Sequence, residues 1–269
     1  MENQKEERKE QVLSTVAWLS DVVKNSVVKV VKDADEVTKL VVDKVSERLK
    51  EATQHALDLV TQMSTATAGA ARSAIRAADE SGADSIRVGV NLLTGTFAGA
   101  SETTVGAVRA IGAVTSGVIQ GLSDVGVDLE KAAARLVGET IQASADVSGN
   151  VGRLTQETIT GVVMGASKTS TEVSSAAQAA IQSAIQAANA SGQDVGQVAV
   201  SAVTGVMEGV KKVGGSAADT LQASITTALE AATNVGSETA GKVKDALANS
   251  VSGAAELIKK RNGKKQDID

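Results

Sequence analysis

The sequence predicts an all-α protein made of long amphipathic helices with a 22-residue repeat, either extended or folded back into an antiparallel hairpin or bundle. Three observations predict it. First, two apolar columns recur every 22 positions with no insertion or deletion. One runs Leu93, Thr115, Val137, Ile159, Ile181, Val203, Ile225, Leu247; the other runs Ile75, Phe97, Ile119, Ile141, Val163, Ile185, Met207, Leu229, Val251. Twenty-two is twice eleven, and eleven residues make three α-helical turns at about 3.67 residues per turn. Second, the 269 residues contain no Pro, and one interior Pro would break a helix. Third, the chain has one Trp, one Phe and no Tyr. Aromatic rings supply much of an ordinary core, so a large globular core is not expected.

The elements follow in order. Residues 1–60 carry 10 Lys/Arg and 12 Asp/Glu. They read as a charged amphipathic helix, with Val16, Leu19, Val23, Val27, Val30 and Val31 at helical spacing. Trp18 lies in this helix and is a candidate interfacial anchor, because Trp favours water–apolar boundaries; a helix–helix contact is the equal alternative. Residues 61–70 form a junction. The repeat occupies 71–258, where charge thins to 12 Lys/Arg and 17 Asp/Glu over 71–246. Residues 259–269 form a basic and polar tail with Lys259, Lys260, Arg261, Lys264 and Lys265. Cations there suit the negative end of a helix, and they offer a weaker option of contact with anionic headgroups.

Within a repeat, positions one and five are large and apolar, and position seven is always Ala or Gly, as in Ala77, Gly99, Gly121, Ala143, Gly165, Ala187 and Gly209. Position twelve is usually small: Gly82, Thr104, Gly126, Ser148, Ser170, Gly192, Gly214, Gly236. Half the helix surface is therefore apolar or small, against a stripe of roughly 100° in an ordinary surface helix. The predicted apolar contact face is Val137, Ile141, Ile159, Val163, Ile181, Ile185, Val203, Met207, Ile225, Leu229 and Leu247. The predicted close-packing small residues are Gly82, Gly126, Gly192, Gly214 and Gly236. The pairs Gly95–Gly99 and Gly117–Gly121 also carry the small-xxx-small spacing of close helix packing. Each interior glycine costs about 1 kcal/mol relative to Ala, so a solitary helix does not hold all 25 of them, and something must pack against the small face.

A competing segmentation reads Gly82-Ala-Asp84, Gly126-Val-Asp128 and Gly192-Gln-Asp194 as a glycine C-cap followed by the N-cap of a new helix. It gives helices of roughly 18 residues joined by tight turns. Longer helices are preferred, because helical phase is kept through eight copies and a loop has no evident reason to keep it.

The chain has one His, His55, and no Cys, so neither a catalytic triad nor a Cys- or His-based metal site can be assembled. Gly112-Ala-Val-Thr-Ser-Gly117 looks loosely like a phosphate loop but lacks the Gly-Lys-Ser/Thr ending. No enzyme, cofactor or metal is expected. A net charge of −5 argues against nucleic acid. No apolar stretch reads as a signal or a membrane span, so a cytoplasmic, non-spanning protein is expected.

Gly161-Val-Val-Met-Gly-Ala-Ser-Lys-Thr169, Val203-Thr-Gly-Val-Met-Glu-Gly-Val-Lys-Lys-Val-Gly-Gly215 and Ala231-Ala-Thr-Asn-Val-Gly-Ser-Glu-Thr-Ala-Gly241 resemble the 11-residue amphipathic repeats of perilipins and synucleins. A weaker resemblance is to group 3 late-embryogenesis-abundant proteins. The first resemblance implies helices that lie on lipid droplets or vesicles. The expectation is then a structural protein coating an intracellular lipid droplet, granule or vesicle. The alternative is a self-associating eleven-repeat coiled-coil rod, bundle or filament, a homo-oligomer. A stress-protective helical protein is a lesser alternative.

Overall fold

The computed structural model describes residues 59–100, 105–145, 151–169 and 173–266. The predicted N-terminal helix, with Trp18 and His55, lies outside them. Among the described residues the chain is helical with no strand. The helices are α1 Leu59–Glu80, α2 Ser85–Ala100, α3 Val105–Asp124, α4 Leu129–Ala145, α5 Val151–Ala166, α6 Val173–Ala190, α7 Val195–Lys212, α8 Ala217–Val235, α9 Ser237–Ser250 and α10 Ala254–Gln266.

The all-α expectation holds, but the long uninterrupted helices do not. The helices are 13 to 22 residues long, and most end in tight turns. Glycine is the physical reason. Gly82, Gly126, Gly192 and Gly214 have φ of 73°, 76°, 69° and 79°. This left-handed conformation costs other L-residues roughly 1–2 kcal/mol. At each, the residue after the glycine donates its N–H back into the helix: Ala83 to the Ala78 carbonyl, Val127 to Leu122, Gln193 to Ala188 and Gly215 to Val210, all at 2.9 Å. This is the Schellman closure, which satisfies carbonyls left open at a helix end.

The next helix starts at once. Asp84 Oδ1 accepts the N–H groups of Ile86 and Arg87, both at 3.1 Å. Asp128 Oδ1 accepts from Glu130 and Lys131, and Asp194 Oδ1 accepts from Gln197 at 3.0 Å. The Gly-x-Asp sequences are thus stop-and-start signals, and the competing segmentation is the correct one at these three points. From α4 to α8 the helices begin at Leu129, Val151, Val173, Val195 and Ala217, each 22 residues after the last.

The chain divides into two compact units, Met1–Ala132 and Ala133–Asp269, with the division inside α4. In the first unit α1, α2 and α3 pack on one another. In the second, each helix from α5 to α9 packs on its successor, and each from α5 to α8 also on the next but one: α5 on α7, α6 on α8, α7 on α9 and α8 on α10. In this unit odd and even helices therefore form two layers. The core of each unit is made of Ile, Leu, Val and Ala. In the first unit Ile75, Leu93, Ile119 and Leu122 are fully buried; in the second Leu136, Ile159, Ile185 and Leu247 are. Burying one such side chain is worth about 1.5–3 kcal/mol.

Candidate functional site: glycine-lined helix contacts

Both apolar columns are core. Every member whose side chain is described is buried except Met207, which is half-buried. The predicted contact face therefore meets protein. Val137, Ile159, Val163, Ile185, Val203 and Leu247 have no exposure at all, Ile141, Ile181 and Ile225 have 1–2%, and Leu229 has 5%.

The five glycines predicted to pack closely do not. Gly82, Gly126, Gly192, Gly214 and Gly236 all lie at helix ends with positive φ, and a Cβ added to any of them meets nothing within 4 Å. Their role is conformational. Close packing falls instead to glycines inside the helices. On α3, a Cβ on Gly117 would fall inside the Ala68 carbonyl of α1, and one on Gly121 would stand 2.7 Å from Ile75 Cβ and 2.9 Å from the Arg72 carbonyl. On α7, Gly205 would meet the Gln156 carbonyl of α5 at 2.6 Å, and Gly209 would meet Val163 Cβ at 2.6 Å and the Thr160 carbonyl at 3.2 Å. The pair Gly117–Gly121, singled out by its spacing, is one of these hollows. Gly99 of the other such pair has no described side-chain surroundings.

These two contacts are one arrangement used twice. Ala68 and Gly117 become Gln156 and Gly205 88 residues later, and Ile75 and Gly121 become Val163 and Gly209. In each, the residue 49 positions before a glycine presses its backbone onto it. Contacts advance together along both helices, so next-but-one partners run parallel. The same spacing recurs in the other layer, where Ser183 Oγ of α6 donates to the Ala134 carbonyl of α4, 49 residues earlier, at 2.6 Å. Thr160 Oγ1 also donates to the Gly205 carbonyl at 3.0 Å, across the α5–α7 seam.

Polar pairs close the rims. Arg72 grips Asp124 bidentately, Nε to Oδ2 at 2.5 Å and Nη2 to Oδ1 at 2.7 Å. That hydrogen bond, opposed by partial burial and helped by the charges of Arg72 and Arg76, holds the Asp124 carboxyl below the usual carboxylate range. The Arg72 guanidinium is raised in turn by the same bond. On the second contact Gln156 Nε2 donates to Glu208 Oε2 at 2.9 Å, and Lys212 Nζ lies 2.7 Å from Glu208 Oε1.

The glycine stretch 112–117 lies within α3, with Thr115 and Ser116 buried, so it is no phosphate loop. Among the described residues no group of three or more His, Cys, Asp or Glu side chains is placed to hold a metal ion. No described helix is long and apolar enough to cross a membrane. Residues 259–266 of the basic tail lie in α10, and 267–269 lie outside the described residues. No protein-family model matches the chain, and no curated protein matches it in sequence.

Proposed function

We propose that the chain is a non-enzymatic structural protein whose helix faces serve packing against protein, as a self-packed helical scaffold. One observation carries this reading: the hollows at Gly117, Gly121, Gly205 and Gly209 are filled by backbone and side chains of the same chain. Such fitted, dry contacts depend on close approach of two helices and have no counterpart against fluid lipid. The outer surface agrees, since Val213, at 39%, is the one large apolar side chain among the described residues that is well exposed.

A second reading is a reversible coat on an intracellular lipid droplet, granule or vesicle, the behaviour implied by the likeness to perilipin and synuclein repeats. It is favoured by the turns. At Gly82, Gly126, Gly192 and Gly214 nothing stands within 4 Å of the site of a Cβ, so no side chain packs over the glycine of these capped turns. A coat requires the layers to open there and turn their apolar columns outward.

A lock separates the readings. The chain has no native cysteine. Gln156→Cys with Glu208→Cys, joined by a short bismaleimide, ties α5 to α7 across the contact. The scaffold reading expects neither locked nor unlocked protein to co-sediment with phospholipid vesicles or an oil emulsion, and helicity to be unchanged by lipid. Binding by the unlocked protein alone would overturn it and establish the coat.

A further inference from the structure

The parallel contact has one open end. Ser73 and Ala77 of α1 stand 44 residues before Gly117 and Gly121, the hollows that α3 turns toward α1. On α1 the equivalent face is uncovered: Gly69 and Ser73 are exposed, Ala66, Ala70 and Ala77 are half-buried, and a Cβ on Gly69 would meet nothing within 4 Å.

We propose that this face of α1 receives residues 16–31 of the same chain, lying along α1 as α1 lies along α3. Three observations identify the occupant. The first is register. The side chains of Ile75 and Val163 fill hollows 46 residues ahead of them, at Gly121 and Gly209, so the filler of Ala77 is Val31. The second is continuation of the columns. Forty-four residues before Ala71 and Ile75, both buried on α1, stand Val27 and Val31. At that step both columns hold Val, while at the step between them stand Leu49 and Thr53. The third is supply. Fifty-eight residues precede α1, enough chain to bring a helix back over it.

The chemistry of the segment fits an end position. Placed on a helix at about 100° per residue, Val16, Leu19, Val23, Val27, Val30 and Val31 would share one side, and Asp21, Asn25, Lys29 and Lys32 would fall on the other together with Trp18 and Val28. A terminal element of a stacked array needs an apolar inner side and a polar outer side. Within the second unit, α9 shows this division, with Val243 and Leu247 buried and Lys242, Lys244 and Asp245 exposed.

The test uses introduced cysteines in the full chain. Ile75 Cβ and Val163 Cβ lie 2.7 and 2.6 Å from the sites of a Cβ on Gly121 and Gly209. Ala77 has its own Cβ, which holds its partner slightly further off, toward the roughly 3.5–4.5 Å that a disulfide needs. Val31→Cys with Ala77→Cys should form an intramolecular disulfide on mild oxidation, read as a faster-migrating monomer on a non-reducing gel. Val31→Cys with Asp79→Cys, on the opposite side of α1, should not. A disulfide-linked dimer would assign the face to a second copy and overturn the proposal, as would equal cross-linking of both pairs or none. Independently, Ser73→Arg should leave circular dichroism of the body intact yet speed proteolytic cleavage within 16–31. An unchanged cleavage rate there would also overturn it.

Discussion

Gly205→Ala and Gly241→Ala make the same chemical change with opposite expected signs. Both glycines lie inside helices, α7 and α9, and in each case Ala gains about 1 kcal/mol of helix propensity. At Gly241 a Cβ meets nothing within 4 Å, so that gain stands alone. At Gly205 the Cβ meets the Gln156 carbonyl at 2.6 Å and Gln156 Cα at 3.1 Å, both backbone atoms that no rotamer change removes. Restoring ordinary contact at 3.4 Å requires α5 and α7 to part by about 0.8 Å. A gap of 0.5–1 Å forfeits roughly a quarter to a half of the dispersion energy of the atoms it separates. It would also stretch the 3.0 Å bond from Thr160 to the Gly205 carbonyl. Overpacking of this kind costs about 1–3 kcal/mol, so after the propensity gain Gly205→Ala should be destabilising by about 1 kcal/mol. Urea and thermal unfolding followed by circular dichroism should show the midpoint of Gly241→Ala rising by about 2–4 °C and that of Gly205→Ala falling by a similar amount. If both variants gain stability equally, the glycine hollows are not close contacts and the reasoning fails.

Four further outcomes follow from the turns and rims. Gly192→Ala has room for its methyl but keeps φ at 69°, so it should lose about 1–2 kcal/mol, measured by urea midpoint. Asp194→Ala removes the acceptor of the Gln197 N–H and should lose about 0.5–2 kcal/mol in the same assay. Asp124 has a folded pKa below its unfolded one, so its contribution is present above the unfolded value and is lost as pH falls through the folded one. Wild type should therefore exceed Asp124→Asn by up to about 1 kcal/mol near neutrality, the pair being partly exposed, and the difference should vanish in acid. Thr158 Oγ1 is buried with no hydrogen-bond partner. Thr158→Val keeps the shape and should raise the thermal midpoint, because an unsatisfied buried hydroxyl costs about 1–3 kcal/mol.

Much of this fold was legible in the columns. Leu93, Ile119, Ile159, Ile185 and Leu247 recur on one face and are core. What periodicity did not resolve was continuity. Twenty-two residues make six helical turns at 3.67 per turn, so a helix that stops and restarts every 22 residues leaves the same apolar pattern as one that never stops. The spacing is kept through turns because each helix must match the one two places on, with partners at 49 residues. The local chemistry did distinguish the cases. Gly82, Gly126 and Gly192, each followed two residues later by Asp, are cap signals that outrank phase. The true hollows were half visible, in Gly117–Gly121 and in the Ala-or-Gly seventh position. Gly214 is marked by the local run Gly214-Gly215-Ser216, whereas nothing local marked Gly205 as a hollow, because its partner lies 49 residues away.

Two contacts built to one plan create a problem of address. The Gly117–Ala68 and Gly205–Gln156 hollows share one backbone geometry, so their shape alone gives α1 little reason to choose α3 over α7. The rim residues differ. Asp124 of α3 occupies the place that Lys212 holds on α7, 88 residues later. Were α1 to settle on α7 in the same register, Arg72 would face Lys212 in place of Asp124, exchanging a bidentate ion pair for two like charges. A surface pair that adds little to stability can therefore still decide which of two equivalent seats a helix takes.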